Sequence, residues 1–187
     1  MHLYYSYYHY VKGGNNKVLE KACRDKLLNA AFSDMHIPPD TEIYKTENGK
    51  PYLKNSRYFF NISHSRGLVC VCVSEQENGI DCELIRERKR LFPDRIFNDE
   101  EQKLLNVSAD FTEKYFSMWT YKECFVKLIG KGLSYQVSQV DSSANSLEYE
   151  GKRVSAYRFL LHNSFGSYSV CCMEYADALT PIIKEVK

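Results

Sequence analysis

The sequence lacks several features that would define its class at once. Its 25 basic and 24 acidic residues leave a net charge of only +1, which disfavours a general nucleic-acid binder. No segment approaches roughly 18 uncharged apolar residues, so we expect no membrane span. The first ten residues have no basic region and no long apolar stretch, so we expect no secretory signal.

Cysteine spacing also excludes the commonest cysteine-based sites. There are seven cysteines, an odd number, and no C-x-x-C pair occurs. Several lie inside apolar runs, which favours buried free thiols over a zinc site or a Cys–His nucleophile. Such thiols are typical of the reducing cytoplasm, where we expect the protein to act.

The composition is otherwise that of a folded domain, with 44% hydrophobic residues, 15 Tyr and 10 Phe. Residues 17–32 have the periodicity of an amphipathic helix, and residues 68–73 are apolar on both faces, as in a central strand. The last residues are interpreted as a tail. Alternating segments that predict strands are 3–11, 58–62, 135–140, 147–149, 156–161 and 167–173.

A helix is predicted from Asp110 to the glycines at 130 and 132, with an N-terminal cap and a glycine stop. Two charged residues, Lys122 and Glu123, fall inside its apolar arc, and Lys127 lies at the edge. One interpretation is that the helix contains an internal Lys–Glu pair, or is less buried than its pattern suggests. The other is that Glu123 faces a cation in a cleft. The apolar arc consists of Tyr115, Phe116, Met118, Trp119, Val126 and Ile129.

A second acidic stretch, residues 78–83, continues a predicted sheet. Residues i and i+2 of a strand share a face, so Asp81 and Glu83 would present two carboxylates side by side. Their repulsion favours a hard divalent cation between them, and Glu123 would complete an oxygen-ligand set suited to Mg²⁺.

These residues resemble the signature of the 4′-phosphopantetheinyl transferases. The resemblance consists of G-I-D-x-E at 79–83 and W-x-x-K-E-x-x-x-K at 119–127. G-K-P at 49–51 and F-N-I-S-H-S at 60–65 resemble the larger, Sfp-type branch. The resemblance implies an α+β fold of two similar α/β halves, each a small antiparallel sheet packed with a helix. The active site would lie between residues 1–77 and 78–187.

The implied reaction transfers the 4′-phosphopantetheine arm of coenzyme A to a serine of an apo acyl or peptidyl carrier protein and releases adenosine 3′,5′-bisphosphate. Asp81, Glu83 and Glu123 would hold Mg²⁺. Lys127 would neutralise a phosphate oxygen, and Lys122 would be a second cation near coenzyme A. Glu123 is the first candidate for the base that takes the serine proton, and a metal-bound water is the alternative.

The resemblance implies further contacts. Lys50, Ser63 and His64 would bind the phosphates of coenzyme A. Glu101 would either lie near the metal or form a helix capping box with Asn98.

The sequence leaves the partners partly open. The basic run at 84–90, which includes Arg88 and Arg90, is either a solvated face or a docking surface for an acidic carrier. Two other functions remain possible on the residues alone: another Mg²⁺-dependent phosphoryl-transfer enzyme, or a non-catalytic module that binds carrier proteins. We expect a monomer without nucleic-acid or membrane partners.

Overall fold

The computed structural model describes residues 1–87, 96–132 and 135–187. Two four-stranded sheets, each packed with one helix, are its main elements, and a two-stranded sheet and a further short helix accompany them. This arrangement confirms the predicted α+β fold of two similar halves. The division at residue 77 stays a prediction, because the last strand of the chain joins the first sheet.

The first sheet has the strand order β10-β1-β5-β4 and packs against helix α1. β5 is buried along its whole length, as predicted for a central strand. The expected C-terminal tail is wrong: β10 pairs in parallel with β1, because its backbone finds hydrogen-bond partners along that edge. The bounds are β1 His2–Tyr7, α1 Lys17–Asp34, β4 Phe59–Ser65, β5 Leu68–Ser74 and β10 Ile182–Glu185.

The second sheet is antiparallel, in the order β6-β9-β8-β7, with helix α3 packed on β6 and β9. The remaining bounds are β2 Ile43–Lys45, β3 Pro51–Leu53, β6 Asn78–Leu84, α2 Asp99–Val107, α3 Phe111–Ile129, β7 Ser146–Tyr149, β8 Lys152–Asn163 and β9 Gly166–Tyr175.

Among the described residues no helix is both long and apolar enough to cross a membrane.

Both ends of α3 follow the sequence signals. The Asp110 side chain accepts a hydrogen bond from the Glu113 backbone N–H, and Gly130 ends the helix with a φ of 66° in the left-handed region. The strand predicted at 135–140 is wrong, since a short 3-10 helix, Val137–Gln139, lies there. The carbonyls of Val137 and Val140 bind the Lys122 ammonium instead of a neighbouring strand.

Gly79 allows α3 to lie directly on β6. A Cβ atom at this position would stand 2.2 Å from the Cys124 carbonyl oxygen and 2.8 Å from the Leu128 backbone nitrogen. Both atoms belong to the helix backbone, which has no flexible side chain to move aside. The glycine that begins the G-I-D-x-E stretch therefore sets the distance between the strand with Asp81 and the helix with Glu123.

We expect Gly79→Ala to lower the free energy of unfolding by about 3 kcal/mol, because the whole helix must shift to admit one methyl group. Chemical denaturation followed by circular dichroism measures this loss. Gly151→Ala is the control, since Gly151 has a φ of 74° and open space around it. It should cost about 1 kcal/mol from backbone strain alone. Equal losses in the two variants would contradict the close-approach explanation.

Candidate active site

A cavity of about 570 Å³ opens between the two halves. Its walls come from the 48–51 turn, Asn61 and Ile62 of β4, one face of α3, and residues 135–137. Glu123, Lys127 and Lys50 line it beside apolar groups such as Trp119 and Val126. Pockets of this size, mostly apolar with a few converging charges, are typical of small-molecule sites.

Asp81 lies at the centre of a buried polar cluster next to this cavity. Its Oδ1 atom is 2.7 Å from the Lys127 ammonium and accepts a hydrogen bond of 2.9 Å from the Ser63 hydroxyl. Lys127 also donates to Ser63 Oγ at 2.9 Å. Strand β6, helix α3 and strand β4 thus each contribute one member of the cluster.

Glu83 lies two residues after Asp81 on β6, and its carboxylate also accepts a hydrogen bond from a serine of β4. The Ser65 hydroxyl donates to its Oε2 atom at 2.9 Å. The intervening Cys82 points into the apolar core, as strand alternation requires. The predicted strand and the shared face of Asp81 and Glu83 are therefore both present.

The carboxylates of this region influence one another. Burial raises the pKa of Glu123, and the charge of Asp81 raises it further. Burial also raises the pKa of Glu83, again with a contribution from Asp81. Burial opposes the charged form of Lys127, but its contacts with Asp81 outweigh burial and raise its pKa. The site therefore concentrates negative charge, which Lys127 compensates only in part.

The residues present fit a hard cation in their chemistry. Asp81 Oδ2 is buried and accepts no hydrogen bond within the described part of the chain, although a buried carboxylate oxygen is costly without a partner. Carboxylate oxygens are also the ligands that Mg²⁺ prefers. Over the same residues, however, no three His, Cys, Asp or Glu side chains already form a metal-holding group. A magnesium site at Asp81, Glu83 and Glu123 thus remains a proposal.

Lys122 and Glu101 lie apart from this cluster, paired with each other. Their side chains are fully buried, with the ammonium 2.8 Å from Glu101 Oε2. The ammonium also donates to the carbonyls of Val137 and Val140. Burial lowers the pKa of Lys122, and Glu101 opposes this effect. The Lys–Glu pair expected within α3 is therefore wrong in its partner: Lys122 pairs with Glu101 of α2, so the pair links two helices, whereas Glu123 lines the cavity.

Glu101 has the second of the two roles that the sequence allowed. It forms the capping box with Asn98 at the start of α2. Its other oxygen accepts hydrogen bonds from the backbone and hydroxyl of Ser142. The pair with Lys122 therefore ties α2, α3 and residues 137–142 together.

We expect Lys122→Met to lower the free energy of unfolding by about 3 kcal/mol, because it leaves the Glu101 carboxylate buried without its cation. Urea denaturation measures the loss. Lys103→Met is the matched control, since Lys103 forms an exposed ion pair with Glu100 on α2. A loss no larger than in this control would contradict the structural role of the Lys122–Glu101 pair.

His64 points away from Ser63, because adjacent strand residues face opposite sides. Its Nδ1 atom is 3.2 Å from Glu20 Oε2 on α1, and the Tyr8 hydroxyl donates to the same oxygen. His64 borders a separate pocket of about 290 Å³. Ile62 lines both this pocket and the larger cavity, so the two are neighbours.

Three basic residues of α1 border the same small pocket, although no motif in the sequence marks them as site residues. Lys17, Lys21 and Arg24 are spaced by four and three residues, so they share one face of the helix. That spacing was the available signal. It could not by itself show that His64, on a strand much later in the chain, borders the same pocket.

Lys50 borders the larger cavity at the C-terminal end of α3. Its ammonium donates to the Leu128 carbonyl and lies 3.3 Å from Glu77 Oε2. A cation at this position is favoured by the helix dipole. Arg88 and Arg90 of the basic run lie outside the described residues.

Comparisons with known proteins identify similar sequences. Residues 77–173 match the 4′-phosphopantetheinyl transferase superfamily. A 4′-phosphopantetheinyl transferase of Bacillus pumilus is 42% identical over 117 residues, which cover 60% of this chain and 50% of the relative. Another, of Aneurinibacillus migulanus, is 27% identical over 152 residues, or 78% of this chain and 64% of the relative.

A solved structure of holo-[acyl-carrier-protein] synthase from Thermotoga maritima aligns with a TM-score of 0.38 and 23% identity, over 54% of this chain and 64% of that chain. The matched part spans about half the length of several curated relatives.

Proposed function

The chain belongs to the 4′-phosphopantetheinyl transferase superfamily. We therefore propose that it transfers the 4′-phosphopantetheine arm of coenzyme A to a serine of an apo acyl or peptidyl carrier protein. The observation that carries the proposal is the arrangement of Asp81, Lys127 and Ser63 beside a cavity that Glu123 also lines. Carboxylates and a lysine at a cavity of this size suit a substrate with a pyrophosphate group.

The proposed reaction is a displacement at phosphorus. The serine oxygen of the carrier attacks the phosphorus next to the pantetheine, and the bond to the bridging oxygen of the nucleotide breaks. Glu123 takes the serine proton, and its raised pKa suits a general base. The departing product is adenosine 3′,5′-bisphosphate. Lys127 places its positive charge near the phosphate oxygens, where negative charge accumulates.

The acidic residues would also hold a cation. Asp81, Glu83 and Glu123 are the proposed ligands of Mg²⁺, and the unpartnered Oδ2 atom of Asp81 supports this assignment. Mg²⁺, when bound, supplies positive charge to pyrophosphate oxygens. Lys127 already neutralises Asp81 in part, so a second cation would share this carboxylate with it.

Coenzyme A contacts are proposed at Lys50 and His64, with Lys127 as the contact nearest the reacting phosphorus. The Ser63 hydroxyl is instead proposed to hold Asp81 and Lys127 in place, because it is already bonded to both. Lys122 and Glu101 are left out, because the two charges are buried against each other. A monomer is also proposed. All seven cysteines are free thiols, which supports the cytoplasm as the compartment.

The test is to incubate the protein with coenzyme A, Mg²⁺ and a panel of apo acyl and peptidyl carrier proteins, and to weigh each carrier by mass spectrometry. We expect at least one carrier to gain one phosphopantetheine group, and to lose that gain when its acceptor serine is replaced by alanine. Cleavage of coenzyme A without any modified carrier would instead indicate a phosphohydrolase. Carrier binding without either change would indicate a non-catalytic binding module.

A further inference from the structure

Strand β4 joins the two sheets through side chains. Asn61, Ser63 and Ser65 alternate along it, so all three face the second half of the protein. The Asn61 amide donates to the Asn78 carbonyl, and both serines bond to β6. We call these three residues the polar face of β4.

Both serines make the same pair of contacts. Ser63 Oγ accepts the backbone N–H of Cys82 at 3.2 Å while it donates to Asp81. Ser65 Oγ accepts the backbone N–H of Leu84 at 3.1 Å while it donates to Glu83. Each hydroxyl therefore links a carboxylate to the backbone of the next residue.

This pattern restricts the carboxylates more than packing alone would. A glutamate side chain has three rotatable bonds and therefore many rotamers. A serine hydroxyl that is also bonded to the backbone of the glutamate's strand favours the rotamers that reach it. Ser63 Oγ uses its one donor and both acceptor positions, since it also accepts from Lys127. The Ser65 hydroxyl bonds only to Glu83 and Leu84 in the described contacts, so its effect on one carboxylate can be measured separately.

We propose that Ser65 is a positioning residue, which holds Glu83 in the orientation needed to bind the divalent cation. The proposal rests on the proposed function, in which Glu83 is a metal ligand. Residues that orient metal ligands through hydrogen bonds commonly change metal affinity when they are replaced. Ser65 would act through Glu83 and would not touch coenzyme A or the carrier.

The experiment measures Mn²⁺ affinity by electron paramagnetic resonance, in the presence of coenzyme A and without a carrier. We expect Ser65→Ala to weaken Mn²⁺ binding by about 10- to 100-fold. Ser65→Thr keeps the hydroxyl and should retain most of the affinity. Ser74→Ala is the matched control, because Ser74 also donates to a carboxylate, Glu174, at the opposite end of the β4–β5 pair.

A double-mutant cycle separates positioning from a structural effect. In the Glu83→Gln background, Ser65→Ala should cause no further loss of Mn²⁺ affinity. It should still lower the urea midpoint of unfolding in both backgrounds, because the Leu84 N–H loses its acceptor. An unchanged Mn²⁺ affinity in Ser65→Ala, or the same fold-loss in both backgrounds, would overturn the proposal.

Failure of the positioning role of Ser65 can be distinguished from failure of the proposed transferase function. A wild-type protein that modifies no carrier, yet shows the Ser65–Glu83 coupling in Mn²⁺ binding, would remove the transferase activity and leave the positioning role in place. A wild-type protein that modifies a carrier without this coupling would do the reverse. A wild-type protein that binds no Mn²⁺ would overturn the positioning role.

Discussion

Glu123→Gln is expected to lower kcat about 10⁴-fold, the upper range for the loss of one general base. Glutamine keeps the shape of the side chain but accepts no proton at neutral pH. Glu123 is the carboxylate of α3 that lines the cavity, and burial and Asp81 together raise its pKa, which suits proton abstraction from a serine hydroxyl. Single-turnover kinetics with an excess of enzyme over carrier would measure the loss.

Glu113→Gln is the control for this variant, because Glu113 lies on the same helix and is exposed to solvent. It should retain wild-type turnover. Mn²⁺ affinity measured in parallel distinguishes the two proposed roles of Glu123. If the affinity of Glu123→Gln is unchanged, the loss of kcat is due to the missing base; if it is weakened, Glu123 is also a metal ligand. Turnover near wild type in Glu123→Gln would exclude both roles.

Asp81→Asn is expected to lower kcat/KM about 10³-fold, comparable to the loss of one preorganised electrostatic group. The amide can still accept from Lys127 and Ser63, but the negative charge that anchors Lys127 at 2.7 Å is gone. The loss should appear in initial-rate measurements over a range of Mg²⁺ concentrations. We expect the free energy of unfolding to change by about 1 kcal/mol or less, because Lys127 keeps Ser63 and access to solvent.

Asp177→Asn serves as the control, since this aspartate is exposed near the C-terminus of β9. Wild-type activity with the same Mg²⁺ dependence in Asp81→Asn would show that Asp81 is neither a ligand nor the anchor of Lys127. Equal losses in both variants would point to a general effect of charge.

Local patterns predicted the elements that carry the site. Alternation placed Asp81 and Glu83 on one face of a strand, and the apolar arc placed the charged residues of α3 on its inner side. The caps at Asp110 and Gly130 gave the ends of that helix. Each of these inferences depends only on residues within a few positions of one another.

Contacts between distant residues were not predictable from one sequence. The family resemblance implies a coenzyme A contact for Lys122, and no local pattern identifies Glu101, 21 positions earlier, as its actual partner. The bonds from Ser63 and Ser65 to β6 span 18 residues and depend on how the two sheets meet. Strand β10 forms by pairing with β1, at the opposite end of the chain, and no local pattern indicates this pairing. Tertiary packing decided all three.

The central claim is group transfer from coenzyme A to a carrier serine. The most direct test quantifies adenosine 3′,5′-bisphosphate and modified carrier in the same reaction, with Mg²⁺ and with a chelator. We predict one nucleotide released for each carrier modified, and neither product in the presence of the chelator. Nucleotide release without carrier modification, or equal yields with the chelator, would contradict the account.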